Sequence, residues 1–349
     1  MYTIIKSLYC NVKSCVRYNC EISEFFNVPK GLMQGEGLSP FLFSLYINDF
    51  ENYMLYNNCE SVELRDLSLF LIMYADDTVL FSESISGLQN LLDNVHLYCN
   101  EWDIKVNVNK TKIVVFRNGG RISKKAVWYY NSNEIEVVDC FNYLGISLLY
   151  NGKFTRTQKV LSLQGRKCMY SILNTCNAEF LNVETRLQVF DTYVSSVLNY
   201  GCEVWGFNDA KDIEKIHMDF CKRILKVRKC TPNYMIYSEL GRFPLILTRK
   251  FRIIKYWIKL LNCDNIILKS LYDDMLSRID SVSWLSRVRN LLMSLGFGYV
   301  WFNQYVANPE IFLAQVKSVL YDQFIQEMNG YFNSSSKCFL YSYLYETHF

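Results

Sequence analysis

The sequence predicts an α+β fold in which strands and hairpins alternate with helices up to about residue 150 and helices then follow almost without interruption. Short apolar runs bounded by Gly, Asn and Asp, which are typical of strands, are confined to the first part of the chain. From Phe154 onward the apolar residues recur at helical spacing, and Asn151 and Gly152 mark the boundary. Half of the 349 residues are apolar, so the chain can bury a large core in more than one domain.

The composition excludes a disordered protein and a membrane-spanning one. The formal net charge of +3 is mild, so affinity for nucleic acid would have to come from local basic stripes. Thirteen cysteines without paired spacing and an N-terminus without a signal pattern predict an intracellular location, in the cytoplasm or nucleus, rather than secretion. The apolar runs are too short to cross a bilayer, so we expect no membrane contact. The oligomeric state stays open.

The first fifty residues predict a helix, a hairpin and a glycine-rich loop. Apolar residues between positions 4 and 12 have helical spacing, and the segment from Cys15 to Val28 predicts a hairpin that turns near Asn19. After three closely spaced glycines, Ser39 is expected to cap a helix and Pro40 to occupy its first turn. The apolar residues expected to carry this helix into the core are Phe41, Leu42, Leu45, Tyr46 and Phe50.

The stretch from Leu69 to Phe81 is the most informative part of the chain. Two apolar runs flank Asp76 and Asp77, which predicts two buried strands with both carboxylates at the tip of their hairpin. Because a buried carboxylate is unfavourable unless it is paired, protonated or metal-bound, this pattern predicts a divalent cation, with Mg²⁺ beside a phosphate as the first choice. The alternative is an ordinary polar turn, since Asp favours turns.

The middle of the chain predicts one long helix and further hairpins. Ser86 and Gln89 form a capping box ahead of a core-facing helix. Strands are expected on either side of Asn109 to Thr111, a hairpin across residues 131 to 133, and a strand ending in the sequence Phe141 to Gly145.

Basic residues gather on two of the later helices. Arg156, Lys159 and Lys167 share one side of the helix that follows residue 154, a pattern that suits phosphate tracking but is also common on a solvated face. A later helix ends in the densest basic cluster, and His217 and Cys221 share a face of it. A zinc site there is conceivable, although the spacing fits no zinc knuckle.

Three segments carry a resemblance to a known family. Tyr74, Ala75, Asp76 and Asp77 resemble the YADD box of reverse transcriptases, and their surroundings are similar to those of the non-LTR, LINE-like branch. The segment Gln34 to Pro40 resembles the QGxxLSP motif with which that family holds template and incoming nucleotide. Phe141 to Gly145 is similar to the primer grip of the same family.

The resemblance implies a polymerase palm-type antiparallel sheet with packed helices, followed by an all-α thumb and a C-terminal helical region. Residues 1–150 would be a partial reverse transcriptase domain, a palm without fingers or the first acidic motif. Residues 151–240 would be the thumb and connector, and residues 241–349 a helical region of unassigned role. Because the third metal-holding acid of the family lies on a strand upstream of the glycine loop, the resemblance also implies truncation at the N-terminus.

The family's residue roles carry over by motif. Asp76 would be the principal metal ligand and Asp77 the supporting one, for Mg²⁺ or alternatively Mn²⁺, and Lys110 would donate a proton to the leaving pyrophosphate unless it is a solvated loop lysine. The residues expected at nucleotide and template are Gln34, Gly35, Ser39, Pro40 and Tyr74. The primer grip would be Tyr143, Leu144 and Gly145. The contacts to nucleic-acid backbone would be Arg156, Lys159 and Lys167. The implied partners are an RNA template, a DNA primer or target DNA, and deoxynucleoside triphosphates.

Three functions follow from this interpretation. The first is an RNA-directed DNA polymerase fragment that transfers nucleotides to a primer 3′ hydroxyl with two metal ions. The second is a catalytically inactive retroelement remnant that only binds nucleic acid. The third, a group II intron maturase-like protein, shares the palm motifs but fits the later helices less well. We expect the isolated chain to be inactive or weak, because two carboxylates leave a two-ion cluster under-neutralised.

Overall fold

The computed structural model describes residues 2–28, 30–65, 67–175, 181–335, 338 and 341. The helices are α1 (Tyr2–Tyr9), α2 (Ser39–Tyr46), α3 (Phe50–Tyr56), α4 (Ile85–Glu101), α5 (Thr155–Thr175), α6 (Val183–Val189), α7 (Ser196–Leu198), α8 (Cys202–Trp205), α9 (Lys211–Ile224), α10 (Asn233–Leu240), α11 (Leu245–Leu261), α12 (Ile266–Ser277), α13 (Trp284–Ser294), α14 (Gly298–Asn303) and α15 (Pro309–Ser334). A π-helical turn, Phe190–Ser195, lies between α6 and α7.

The strands are short and form hairpins rather than one sheet. They are β1 (Lys13–Ser14), β2 (Arg17–Tyr18), β3 (Glu21–Ile22), β4 (Phe26–Asn27), β5 (Val62–Leu64), β6 (Leu67–Leu69), β7 (Leu71–Tyr74), β8 (Asp77–Leu80), β9 (Tyr129–Tyr130), β10 (Asn133–Glu134), β11 (Cys140–Tyr143) and β12 (Ile146–Leu149). They pair two by two, as β1–β4, β2–β3, β5–β6, β7–β8, β9–β10 and β11–β12. The mixture of helices with antiparallel strand pairs agrees with the α+β prediction, but the single continuous sheet is not found among the described residues.

The chain divides into two compact units, each assembled from separate stretches of sequence. Unit 1 comprises residues 1–63, 68–111 and 124–135, and unit 2 comprises residues 64–67, 112–123 and 136–349. Unit 1 contains α1 to α4 and the hairpin β7–β8, whereas unit 2 contains β11–β12 and all later helices. No helix in the described ranges is both long and apolar enough to span a bilayer.

The core of unit 1 forms around α4, whose apolar residues fall on one face as the sequence predicts. Leu91, Leu92, Val95 and Tyr98 are buried. The Tyr98 ring stacks on Phe50 at 4.3 Å between centroids, and its hydroxyl donates to Asp49 at 2.7 Å. Tyr98 therefore ties α4 to the start of α3.

The capping box predicted for α4 does not form, because the helix is capped two residues earlier. Ser84, not Ser86, is the N-cap, and its hydroxyl accepts from the amide of Gly87. Gln89 lies too far from the Ser84 cap to complete a capping box, and its side chain bonds elsewhere. Its side-chain oxygen accepts from the amide of Tyr129 and its nitrogen donates to the carbonyl of Tyr129, both at 2.9 Å. This pair of hydrogen bonds fastens α4 to the hairpin β9–β10.

Two further predictions about the first 120 residues were wrong. The helix expected from Ser39 to Phe50 ends at Tyr46. Phe41 and Leu45 are exposed, and the one buried residue of the apolar set expected in the core is Phe50, at the start of α3. The strands expected beside Asn109 to Thr111 do not form. The chain makes a turn at these residues. Just after the turn, Ile113 forms an isolated parallel β-bridge with Val137, within unit 2.

Unit 2 has two apolar cores that share a buried polar network. One core joins α5, the π-helical turn and α9, and the other joins α11 to α15. Arg249, which is fully buried, donates to Glu214 at 2.7 Å. Burial raises the pKa of the Glu214 carboxyl, against the lowering effect of Arg249. Arg242 forms a bidentate ion pair with Asp191 of the π-helical turn, in which two guanidinium nitrogens donate to the two carboxylate oxygens at 2.6 and 2.5 Å.

His217 lies buried inside this network, next to the two arginines. Its ring stacks near Phe190 at 5.3 Å between centroids, and its Nε2 faces Arg242 at 3.4 Å. Burial, followed by the positive charges of Arg242 and Arg249, lowers the pKa of His217 to about 3. The histidine is thus neutral in the folded protein, and no group of three or more potential metal ligands occurs among the described residues.

We expect His217 to weaken the fold in acid. The unfolded chain binds its proton as the pH falls through about 6.5, whereas the folded chain does so only near pH 3. The free energy of unfolding should therefore fall by about 1.4 kcal/mol per pH unit below pH 6.5 from this residue alone. Urea unfolding of the wild type and His217→Gln at pH 7 and pH 5 measures the effect, with His96→Gln as the control. An equal pH dependence in the wild type and His217→Gln would contradict this prediction.

The core position of α4 can be tested with two leucines of the same helix. Leu91 is fully buried, whereas Leu97 is 55% exposed. Leu91→Ala should lower the free energy of unfolding by about 2 to 5 kcal/mol, because it leaves a cavity. Leu97→Ala should change it by about 0.5 kcal/mol or less. Thermal or urea unfolding measures both, and equal effects would show that α4 does not pack with this face.

Candidate functional site

Asp76 and Asp77 lie at the tip of the two-stranded hairpin β7–β8 in unit 1. Tyr74 pairs with Asp77 and Met73 with Thr78, so the chain reverses over only two residues, Ala75 and Asp76. Ala75 has a φ of +54°, in the left-handed region that side chains with a β-carbon avoid. The hairpin thus places two adjacent acids at a strained turn.

The prediction that this hairpin is buried was wrong. Leu71 is buried, but Ile72 is 40% and Tyr74 63% exposed, and both aspartates are exposed. Side chains of paired strands alternate between faces, so Ile72, Tyr74 and Asp77 share the exposed face. The requirement for a cation therefore cannot be argued from the cost of burying the carboxylates.

The carboxylates are nevertheless available to bind. Neither Asp76 nor Asp77 forms an ion pair or side-chain hydrogen bond with another described residue, so their oxygens are open to solvent. Mg²⁺ commonly binds through one or two carboxylates together with substrate phosphates, and this donor set fits one such ion. A pair of ions needs more negative charge, and the described residues contain no group of three or more His, Cys, Asp or Glu side chains that could hold a metal.

The glycine-rich loop is held by Ser39 in a way that differs from the prediction. Ser39 is the first residue of α2 and no side chain caps this helix, while Pro40 occupies its first turn as expected. The Ser39 hydroxyl instead donates to the carbonyl of Met33 at 2.7 Å, which closes the loop on itself. Gln34 and Gly35 form an exposed turn within the loop.

A tyrosine supports the same loop. The hydroxyl of Tyr9 donates to Glu36 at 2.6 Å, and this hydrogen bond raises the pKa of Tyr9. Tyr9 ends α1, so the opening helix is fastened to the loop. Lys110, by contrast, is exposed in a turn, and its backbone amide donates to Asn107.

The hairpin β11–β12 in unit 2 carries the predicted primer-contact residues. Its four pairs run from Cys140–Leu149 to Tyr143–Ile146, so Leu144 and Gly145 form a two-residue turn. Their φ angles of +47° and +80° are both positive, which matches the type I′ turn that suits the twist of a hairpin.

Helix α5 is fastened to this hairpin. The amide of Ser147 donates to the hydroxyl of Thr157, and that hydroxyl donates to the carbonyl of Ser147, both at 3.0 Å. Thr157 is buried, whereas the basic residues of α5 point outward. The exposed basic side chains on this helix are Arg156, Lys159, Arg166 and Lys167.

The structure thus groups the candidate residues by unit. Unit 1 holds Gln34, Gly35, Ser39, Pro40, Tyr74, Asp76, Asp77 and Lys110, and unit 2 holds Tyr143, Leu144, Gly145, Arg156, Lys159 and Lys167. In unit 2, the Ser147–Thr157 hydrogen bonds bring the hairpin tip and the basic helix together. In unit 1, no hydrogen bond or ion pair between described side chains joins the acids to the glycine loop or to Lys110.

Sequence reasoning missed the residues that hold the hairpin β11–β12. Thr157 and Ser147 have no motif that singles them out. Tyr200 donates from its hydroxyl to the carbonyl of Leu144 at 2.9 Å, across 56 positions of sequence. The one available signal was the glycine after it, Gly201, which has a φ of +61° and marks a tight turn.

Gly145 allows a test of the turn geometry. A β-carbon at this position would lie 3.0 Å from Cε1 of Tyr200, and the φ of +80° is unfavourable for alanine. Gly145→Ala should therefore lower the free energy of unfolding by about 1 kcal/mol or more. Gly330→Ala is the matched control, because Gly330 lies exposed in α15 with open space around it and should stabilise by about 0.5 to 1 kcal/mol. Stabilisation by both substitutions would contradict the observed turn.

The sequence has relatives among known proteins. Residues 2–148 match the family described as reverse transcriptase (RNA-dependent DNA polymerase). The chain is 22% identical over 252 residues to the RNA-directed DNA polymerase from mobile element jockey of Drosophila melanogaster, a match that covers 69% of this chain and 26% of the relative. It is 23% identical over 224 residues to the probable RNA-directed DNA polymerase from transposon X-element of the same species, covering 62% of this chain and 23% of the relative.

A third relative is the Retrovirus-related Pol polyprotein from type-2 retrotransposable element R2DM of Drosophila melanogaster, 29% identical over 138 residues, which cover 38% of this chain and 13% of the relative. The chain spans about a quarter of the length of the jockey and X-element relatives. The matched segment includes the acid hairpin, the glycine loop and most of β11–β12. The chain is therefore similar to the reverse transcriptases of non-LTR, LINE-like retrotransposons, and residues 2–148 carry the family match.

Proposed function

We propose that this chain is part of an RNA-directed DNA polymerase, in which Asp76 and Asp77 bind the divalent cation for nucleotide transfer to a primer. The observation that carries the proposal is the pair of adjacent, unpaired carboxylates at the strained tip of β7–β8, inside a segment that matches the reverse transcriptase family. Strained backbone at an exposed tip is the kind of feature that accompanies function.

The bound cation would be Mg²⁺, or Mn²⁺, and it would neutralise phosphate charge and polarise the primer hydroxyl. Asp76 and Asp77 would hold the ion at the hairpin tip. Neither carboxylate is paired with a basic side chain of the described residues, so both are available to the ion. The exposed Tyr74 ring beside Asp77 offers an apolar surface for the incoming nucleotide. The loop of Gln34 and Gly35, fixed by the Ser39–Met33 hydrogen bond, would contact the same nucleotide or the template.

Unit 2 would contact the nucleic acid, that is, the template and the primer. Arg156, Lys159 and Lys167 lie exposed on α5, and such a basic face binds phosphates without reading sequence. The hairpin tip at Leu144 and Gly145, which α5 supports through Thr157, would touch the primer end. The substrates would be an RNA template, a DNA primer and deoxynucleoside triphosphates.

A second candidate function is nucleic-acid binding without catalysis. It is favoured by one observation, that Asp76 and Asp77 have no third potential ligand within the described residues. Two carboxylates bring too little negative charge for two divalent ions. We therefore expect the isolated chain to bind primer–template strongly and to extend it weakly.

Primer extension on an RNA template with Mg²⁺ tests the two functions. Asp76→Asn should abolish whatever extension the wild type shows, because the principal ligand loses its charge, and should leave salt-dependent binding of the primer–template unchanged. Asp264→Asn, at an exposed loop aspartate far along the chain, is the matched control and should behave as the wild type. Extension that survives Asp76→Asn would refute the metal role. No extension by the wild type, with binding retained, would favour the second function.

A further inference from the structure

The turn between β11 and β12 contains a residue in an unfavourable conformation. Leu144 has a φ of +47°, which is common for glycine or asparagine and rare for a leucine. Its side chain is 38% exposed, so it is not locked inside a core. A strained residue keeps its conformation only when its surroundings impose it. The contacts around the turn should therefore include one that fixes Leu144.

Tyr200 is that contact. It lies just after α7, and its hydroxyl donates to the carbonyl of Leu144 at 2.9 Å. Its ring covers Gly145 so closely that a β-carbon there would lie 3.0 Å from Cε1. One side chain thus contacts both residues of the turn.

The backbone of Tyr200 is itself fixed. Its carbonyl accepts from the indole nitrogen of Trp205 at 3.0 Å, and Trp205 is buried. The next residue, Gly201, approaches Ile146 so closely that a β-carbon would lie 2.8 Å from its Cδ1. Tyr200 therefore reaches the turn from a rigid base, on the same hairpin that Thr157 holds from α5.

We propose that Tyr200 is a positioning residue for the primer end: its hydroxyl keeps Leu144 left-handed and so sets the shape of the tip that contacts the primer. This inference rests on the proposed function of the tip. Tyr200 is 49% exposed, and replacing it with phenylalanine would remove the hydroxyl while keeping the ring that covers Gly145. Loss of the hydroxyl should therefore loosen the turn and leave the fold of unit 2 intact.

The test compares binding of two nucleic acids by the full chain. One is a primer–template with a recessed 3′ end, and the other is a blunt duplex of the same length. The ratio of their dissociation constants isolates the contact with the primer end, because phosphate contacts contribute to both. Tyr200→Phe removes the hydroxyl alone. Tyr299→Phe, at another exposed tyrosine of unit 2, is the matched control.

We expect the wild type to prefer the recessed end and Tyr200→Phe to lose about two- to tenfold of that preference, the range that one hydrogen bond supports. Its thermal midpoint and its affinity for the blunt duplex should stay as in the wild type. Leu144→Asn provides a rescue, because asparagine adopts the left-handed conformation readily in type I′ turns. The double variant of Leu144→Asn with Tyr200→Phe should therefore recover preference for the recessed end that Tyr200→Phe alone has lost.

Two results would overturn the inference while leaving the proposed function in place. In one, the wild type prefers the recessed end and Tyr200→Phe keeps the full preference, whether or not its thermal midpoint falls. In the other, Leu144→Asn fails to reduce the effect of Tyr200→Phe, so the hydroxyl does not act through the turn. A wild type that binds both duplexes equally would overturn the proposed primer contact and this inference with it.

Discussion

The hairpins of this chain depend on residues that enter the left-handed region of backbone conformation. Because four of the hairpins reverse over only two residues, the first turn residue takes a positive φ in each of them. At Asn19 and Asn131 the residue suits this geometry, since asparagine tolerates it well. At Ala75 and Leu144 it does not, and these two turns carry the candidate acids and the candidate primer contact. Both candidate sites thus contain a strained turn residue, although positive φ angles also occur at residues with no implied role, such as Cys20, Lys226 and Gln304.

The sequence predicted well those elements whose signal is local. Helix α4 buries Leu91, Leu92, Val95 and Tyr98 as their spacing requires. The hairpin at Asn19 forms where it was expected. The predictions failed where an apolar residue was assumed to be buried: Phe41 and Ile72 are in the right kind of element but exposed. Apolar character indicates a preference, and in a two-stranded pair no neighbouring layer is guaranteed to cover both faces.

The candidate site was predictable from its motif but not from the physical argument first attached to it. Asp76 and Asp77 are exposed, so their need for a cation does not follow from burial, and the relation to reverse transcriptases rests on the match over residues 2–148. Long-range contacts could not be predicted from the sequence, for a different reason. Tyr200 meets Leu144, and Arg249 meets Glu214, across tens of residues that carry no shared pattern. Such pairings follow from the packing of helices, which a single sequence does not specify.

The two candidate hairpins differ in how they are supported, and this difference bears on how each would act. Tyr200 contacts the turn of β11–β12 and Thr157 bonds Ser147 close to it, so this tip is held in one conformation. The acid tip of β7–β8 has no such support from the side chains of described residues, and a two-stranded hairpin is marginally stable alone. Two unneutralised carboxylates side by side also repel each other. Under the proposed function, a divalent cation held by Asp76 and Asp77 would relieve that repulsion, so the acid tip would gain order when it binds its ligand, whereas the tip of β11–β12 already has its shape before any partner binds.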